Sequence, residues 1–267
     1  MLGLMNMKRS LKILDPHPGG VLAEANVRWG VVLVHGFTAS PGSVLPWGQA
    51  LAAAGATVFV PTLPGHDTTV SDLAQTDAGQ WRRQIQLTLD HISLQGFDRL
   101  AVAGLSLGGT LALDATAHRA VDATFVVNPA LSLKPLDQLG VALSPLFQRL
   151  IPTIGPLAGD IKKGGVVEVA YDRTPVPAVA ELAKLIRTVR GRLTQISSPV
   201  TLYWSSDDHI VPATSAEILR RHLHPKLLKT VTLDNSYHVA TLDNDAAKIH
   251  RNSINTLLSL SGGTHGA

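Results

Sequence analysis

Short, continuously apolar runs alternate along the chain with longer stretches whose apolar residues recur at helical spacing, the rhythm of a mostly parallel sheet flanked by helices. Val31-Val32-Leu33-Val34 is apolar at every position, the pattern of a strand buried on both faces. Thr57 to Val60, Arg99 to Ala103, Ala123 to Val127, Pro199 to Trp204 and Lys229 to Leu233 read as further strands. Between them, Ser43 to Ala54 reads as a helix closed by Gly55, Ala78 to Leu94 as an amphipathic helix ended by Gly96, and Asp243 to Leu260 as a closing helix. The rhythm breaks from Asn128 to about Gln195, where Leu131 to Leu157 is rich in Leu, Ile and Pro, Gly164-Gly165 follows, and Val176 to Leu193 turns helical. Some 60 residues between two sheet strands are too many for a simple connection. They predict a cap over the carboxyl edge of the sheet, so that residues 1–130 and 196–267 form an α/β core and residues 131–195 an insertion.

The sharpest local feature is Gly104-Leu105-Ser106-Leu107-Gly108, directly after the apolar run Leu100 to Ala103 and directly before the helical stretch Gly109 to Leu113. A serine between glycines is by itself common in loops. A strand before it and a helix after it make it a nucleophile elbow, in which a strained turn presents the serine hydroxyl and the helix aims its free N–H groups at the reaction centre.

A serine hydroxyl attacks only when a base takes its proton, and the base must be held in one tautomer by a carboxylate. Of eleven histidines, His91, His118, His222 and His250 fall on helical faces and His265 on the tail. His238 differs, because Asn235-Ser236-Tyr237-His238-Val239 leaves the strand ending at Leu233, at the edge where open α/β sheets place their sites. The carboxylate is expected at the end of an earlier strand, where Val200 to Trp204 runs into Ser205-Ser206-Asp207-Asp208-His209-Ile210-Val211-Pro212. The order Ser, Asp, His suits this architecture, and both aspartates qualify. An oxyanion hole needs two backbone donors: the N–H of Leu107 after the serine, and the N–H of Phe37 in His35-Gly36-Phe37-Thr38 after the buried strand.

Composition narrows the alternatives. A 267-residue chain with 45% hydrophobic residues can bury one large core. With no cysteine, disulfides, thiolate metal sites and a cysteine nucleophile are excluded, and the cytoplasm is the expected compartment. Lys8 and Arg9 interrupt the apolar start before it reaches the length of an export signal, and Met5 or Met7 could equally be the start. The net charge of +3 is small and the basic pairs Arg82-Arg83, Lys162-Lys163 and Arg220-Arg221 are scattered, which argues against nucleic acid and leaves room for weak, transient contact with an anionic membrane surface. No nucleotide loop and no zinc motif occurs, so neither cofactor nor metal is expected. The oligomeric state, monomer or homodimer, has no signature in the sequence.

Taken together, Leu33-Val34-His35-Gly36-Phe37-Thr38, Pro64-Gly65-His66, Gly104 to Thr110, Ser206 to Pro212 and Asn235 to Asp243 make the chain resemble the α/β-hydrolase superfamily over about residues 30 to 260, and within it the bacterial monoacylglycerol lipases and small carboxylesterases. The resemblance implies an α/β-hydrolase fold with a cap, Ser106 as nucleophile, His238 as base, Asp208 as the orienting acid, and Phe37 and Leu107 as oxyanion donors. It implies a small-molecule ester as substrate, foremost a monoacylglycerol cleaved to fatty acid and glycerol, with a general carboxylesterase and a ligand receptor with little turnover as the alternatives.

Overall fold

The computed structural model describes residues 10–134 and 152–262. In chain order the elements are β1 (Leu11–Leu14), α1 (Val21–Glu24), β2 (Trp29–Val34), α2 (Leu45–Ala53), β3 (Thr57–Pro61), α3 (Val70–Ala74), α4 (Ala78–Ser93), β4 (Arg99–Leu105), α5 (Leu107–His118), β5 (Ala123–Val127), β6 (Thr153–Ile154), β7 (Thr174–Pro175), α6 (Val176–Arg190), β8 (Val200–Ser205), α7 (Thr214–His222), β9 (Leu228–Leu233) and α8 (Ala246–Gly262). Seven strands form one sheet in the order β1-β3-β2-β4-β5-β8-β9. Every pair is parallel except β1 with β3.

The continuously apolar strands are explained by two cores, one on each face. Val32, Val34, Phe59, Val102, Val126 and Leu202 point to the side covered by α4, α5 and α6, against Trp81, Leu111 and Leu182. Val31, Leu33, Val58, Ala103, Phe125 and Tyr203 point to the other side, against Trp47 and Leu51 of α2 and Ile249 and Leu257 of α8. Successive residues of a strand face opposite ways, so a strand with helices on both sides has no polar positions to spare. The edge strand β9, half exposed, is correspondingly mixed in sequence. Helix α4 needs only one apolar stripe; it buries Trp81, Ile85, Leu89 and Ile92 and opens on a capping box between Asp77 and Gln80.

Several boundaries differ from the sequence pattern. The helix expected from Ser43 starts at Leu45, after a 3₁₀ turn over Pro41–Ser43, because Pro46 can occupy only a first helical turn. The closing helix starts at Ala246 rather than Asp243, whose carboxylate accepts hydrogen bonds from Lys162 N, Lys163 N, Tyr237 N and Asn244 N instead. Strand β1 and helices α1, α3 and α7 have no counterpart in the pattern reading. Within the expected insertion, β6 and β7 pair antiparallel, a strap runs from Gly159 to Tyr171 along the carboxyl edge, and α6 buries Leu182, Leu185 and Val189 in the sheet's own core. Residues 135–151, the middle of the Leu131 to Leu157 run, lie outside the described residues, as do the first nine residues and His265.

Candidate active site

Five strands deliver the candidate residues to one edge. β2 ends into His35-Gly36-Phe37, β4 into Ser106, β5 into Asn128, β8 into the aspartate pair and β9 into the loop bearing His238. Ser106 has φ 53° and ψ −114°, a conformation that costs a non-glycine residue on the order of 1–3 kcal/mol and persists because its surroundings over-determine it. Its N–H donates to Val127 O at 2.9 Å and its carbonyl accepts from Thr110 N at 3.0 Å. The flanking glycines are required by close approach. A Cβ on Gly104 would lie 2.3 Å from the Gly108 backbone, and one on Gly108 would lie 2.1 Å from Val34 O.

Ser106, Phe37 and His238 line one cavity together with Gly36, Leu133, Leu157, Glu168, Leu182 and Val239. The His238 ring is buried and its Nδ1 donates to Asp208 Oδ2 at 2.8 Å. Asp208 Oδ1 accepts from Ile210 N and Val211 N, both at 2.8 Å, so the carboxylate is fixed from behind. Asp207, its side chain 52% exposed, reaches only His209 Nε2, at 3.4 Å. Neighbours in a loop point differently, and here only Asp208 meets the imidazole.

Leu107 is the first residue of α5, so its N–H has no acceptor inside the helix. The Phe37 turn lies beside the serine, since a Cβ on Gly36 would sit 3.7 Å from Ser106 Cβ. His35 braces this turn: Nδ1 donates to Gly36 O and Nε2 accepts from Leu63 N. Burial, with the His66 charge adding to it, pushes its pKa down to about 3, which keeps it neutral and able to accept. His66, also buried, packs edge-on against it and is pushed down to about 4.

Two more residues bear on the site: Asn128, which belongs to no sequence motif, and Glu168, which opens the Glu168 to Pro175 run of the expected cap, a further stretch in which the chain resembles the family. Asn128, at φ 44°, donates from Nδ2 to His238 O at 2.8 Å and to Ser205 Oγ at 2.9 Å, and accepts from Ser205 N at 2.8 Å, tying the base loop to two strand ends. Its one local signal is polarity directly after an all-apolar strand. Glu168, from the cap strap, is buried in the cavity wall and accepts from Gly159 N at 2.9 Å. Burial holds its carboxyl above the usual carboxylate range, against the opposing pull of that hydrogen bond and of the His238 charge.

For His238, burial pulls the pKa down, but the charge and hydrogen bond of Asp208 and the charges of Glu168 and Asp160 outweigh it and hold the group above 6.5. A base must be neutral to accept a proton, so if His238 is the base, activity is expected to be lost as pH falls through that raised value. The acid limb of kcat/KM is therefore expected above 6.5 in a pH profile with p-nitrophenyl butyrate. A limb at or below it would contradict the assignment of His238 as base.

Among the described residues, no group of three or more His, Asp or Glu is placed to hold a metal ion, and no helix is long and apolar enough to cross a membrane.

The chain is similar to known proteins in sequence and in fold. The chain is 35% identical, over 226 residues covering 84% of it and 88% of the relative, to a thermostable monoacylglycerol lipase of Bacillus sp. (strain H-257). It is 23% identical to a carboxylesterase of Bacillus subtilis (strain 168), over 90% of this chain and 96% of that one. A solved structure from a study of two metagenome-derived lipolytic enzymes superposes with a TM-score of 0.84 at 30% identity, covering 94% of this chain and 97% of the other. The model of the alpha/beta hydrolase family matches residues 31–249, which takes in the Phe37 turn, the elbow, the loops bearing Asp208 and His238, and the sheet from within β2 to β9. With its parallel sheet, its elbow at Ser106 and these relatives, the chain belongs to the alpha/beta hydrolase family.

Proposed function

We propose that the protein is a serine hydrolase of carboxylic esters that acts on monoacylglycerols, releasing fatty acid and glycerol through an acyl-enzyme. The observation that carries this reading is the meeting in one cavity of Ser106 on a strained elbow and of His238, whose far ring nitrogen is held 2.8 Å from Asp208. Ser106 attacks the ester carbonyl while His238 Nε2 takes its proton; the N–H groups of Phe37 and Leu107 hold the oxyanion, and the alcohol leaves with the proton that His238 returns. Water then gives a proton to His238 as its oxygen bonds to the acyl carbon, and the acyl carbon–Oγ bond breaks as His238 passes that proton to Ser106, releasing the acid. No step calls for a cofactor.

The cavity wall supports a substrate with one apolar and one polar half. Leu133, Leu157, Leu182 and Val239 are suited to an acyl chain, and the buried carboxyl of Glu168 to hydrogen bonds from the hydroxyls of the alcohol. The names of the bacterial relatives, a monoacylglycerol lipase and a carboxylesterase, support ester hydrolysis, the former being the more similar. Residues 131–195 act in this reading as the cap. Val167 and Val169, 83% and 68% exposed on either side of buried Glu168, follow exposed Lys162 and Lys163 in the chain, a composition that suits transient contact with an anionic lipid surface. The cysteine-free chain suits the cytoplasm.

Comparing kcat/KM for monoacylglycerols and for p-nitrophenyl esters of graded length tests the proposal. Each buried methylene contributes about 0.8 kcal/mol at most, or up to about fourfold per step, so medium chains are expected to exceed acetate esters clearly. A flat response between acetyl and dodecanoyl esters would contradict a lipid-binding cavity and favour the general carboxylesterase.

A further inference from the structure

The first part of the strap, Gly159 to Lys163, is anchored at both ends. Glu168 accepts from Gly159 N at 2.9 Å, and Asp243 accepts from Lys162 N at 2.7 Å and from Lys163 N at 2.9 Å. Asp160 sits between these two anchors, its side chain 14% exposed, and its hydrogen bonds go to the loops that bear Asp208 and His238. One carboxylate oxygen, Oδ2, accepts from the backbone N–H of His238 at 3.0 Å and from that of His209 at 3.2 Å. The other, Oδ1, accepts from His209 Nδ1 at 2.8 Å, and the Asp160 carbonyl accepts from Val239 N at 3.1 Å.

We propose that Asp160 is a positioning residue for the triad: a cap carboxylate that holds the acid loop and the base loop at one separation, and through them the contact between Asp208 and His238. The inference rests on the triad reading given above. His209 follows Asp208 directly, so fixing its backbone N–H fixes the peptide that leads out of the acid. Fixing the N–H of His238 fixes the peptide that leads into the base. Hydrogen bonds to an ionised carboxylate are about twice as strong as neutral ones, and one oxygen, Oδ2, accepts from both loops. Among the described residues the carboxylate makes no hydrogen bond to Ser106 or to the His238 ring; it acts on the triad through the two backbone N–H groups, and its charge adds to those that hold the His238 pKa up.

Misplacement of catalytic groups by about 1 Å can cost about a hundredfold in rate. Asp160→Ala, which removes all three side-chain bonds, is expected to lower kcat roughly 10- to 100-fold with KM for p-nitrophenyl butyrate changed by less than about threefold. The far-downfield proton resonance of His238 Nδ1–H against Asp208 is expected to broaden or vanish, a signature that a stabilising contact elsewhere in the fold would not move. Asp160→Leu keeps similar volume with no acceptor, and carries the test by the same two readouts if the alanine variant does not fold. A folded variant with kcat within about twofold of the parent overturns the proposal. So does a loss confined to KM, or a fall in kcat with the resonance unchanged. Ser106→Ala measured in parallel separates the two readings: if it stays active the triad itself is wrong, whereas if it is inactive and the Asp160 variants are fully active, only the positioning role falls.

Discussion

Ser106→Ala is expected to lower kcat by about 10⁴ to 10⁶ while leaving the fold and its melting temperature essentially unchanged. The hydroxyl is the only group in the proposed mechanism that forms a bond to the acyl carbon, so its removal closes the covalent route. Alanine has the same Cβ at the same φ of 53°, so the strain of the elbow is neither relieved nor increased. The close approach that demands glycine at Gly104 and Gly108 involves backbone atoms that the substitution does not touch. Steady-state kinetics on p-nitrophenyl butyrate, with a thermal melt as the check on folding, make the measurement. More than a tenth of the parental activity in the folded variant would remove Ser106 from the mechanism.

Asp208→Asn carries the second large effect, about 10⁴ in kcat, and its size follows from what already surrounds the carboxylate. Oδ1 accepts two backbone N–H groups at 2.8 Å, so an asparagine must turn its oxygen there and its amide nitrogen toward His238. The amide would then donate to Nδ1, and the ring proton would move to Nε2. An imidazole protonated on Nε2 cannot accept the proton of Ser106. Asp207→Asn leaves this geometry alone and removes only a loose, half-exposed contact with His209, so its cost is expected to stay within about tenfold. The opposite ranking of the two variants at neutral pH would transfer the acid role to Asp207.

The sheet interior was legible in the sequence because its cause is local. Strands β2, β4, β5 and β8 are buried on both faces, and each such strand writes its environment into five to seven adjacent residues. The elbow is legible for a related reason: the turn that presents Ser106 lets the backbone of Gly108 press against β2 and that of Gly104 against Gly108, contacts that leave no space for a Cβ. Strand β1 escaped notice because Leu-Lys-Ile-Leu is half exposed and too short to show a period, and it becomes a strand only by pairing with β3.

Within the site, the sequence by itself determined the residue types and the loops that hold them: a serine on a turn, a histidine after one strand, aspartates after another, and a backbone donor after the first buried strand. Resemblance to a family pointed to the second aspartate. The contact of Asp208 with the imidazole, 30 residues apart in the chain, exists only in the folded molecule. The tertiary structure alone decided the rest, bringing Asn128 within 2.8 Å of the His238 carbonyl across 110 residues, and the Asp160 carboxylate within 3.0 Å of the His238 N–H across 78. Periodicity records which face of an element is buried, whereas a hydrogen bond between distant loops depends on the register of the sheet that carries them, and no neighbouring residue encodes it.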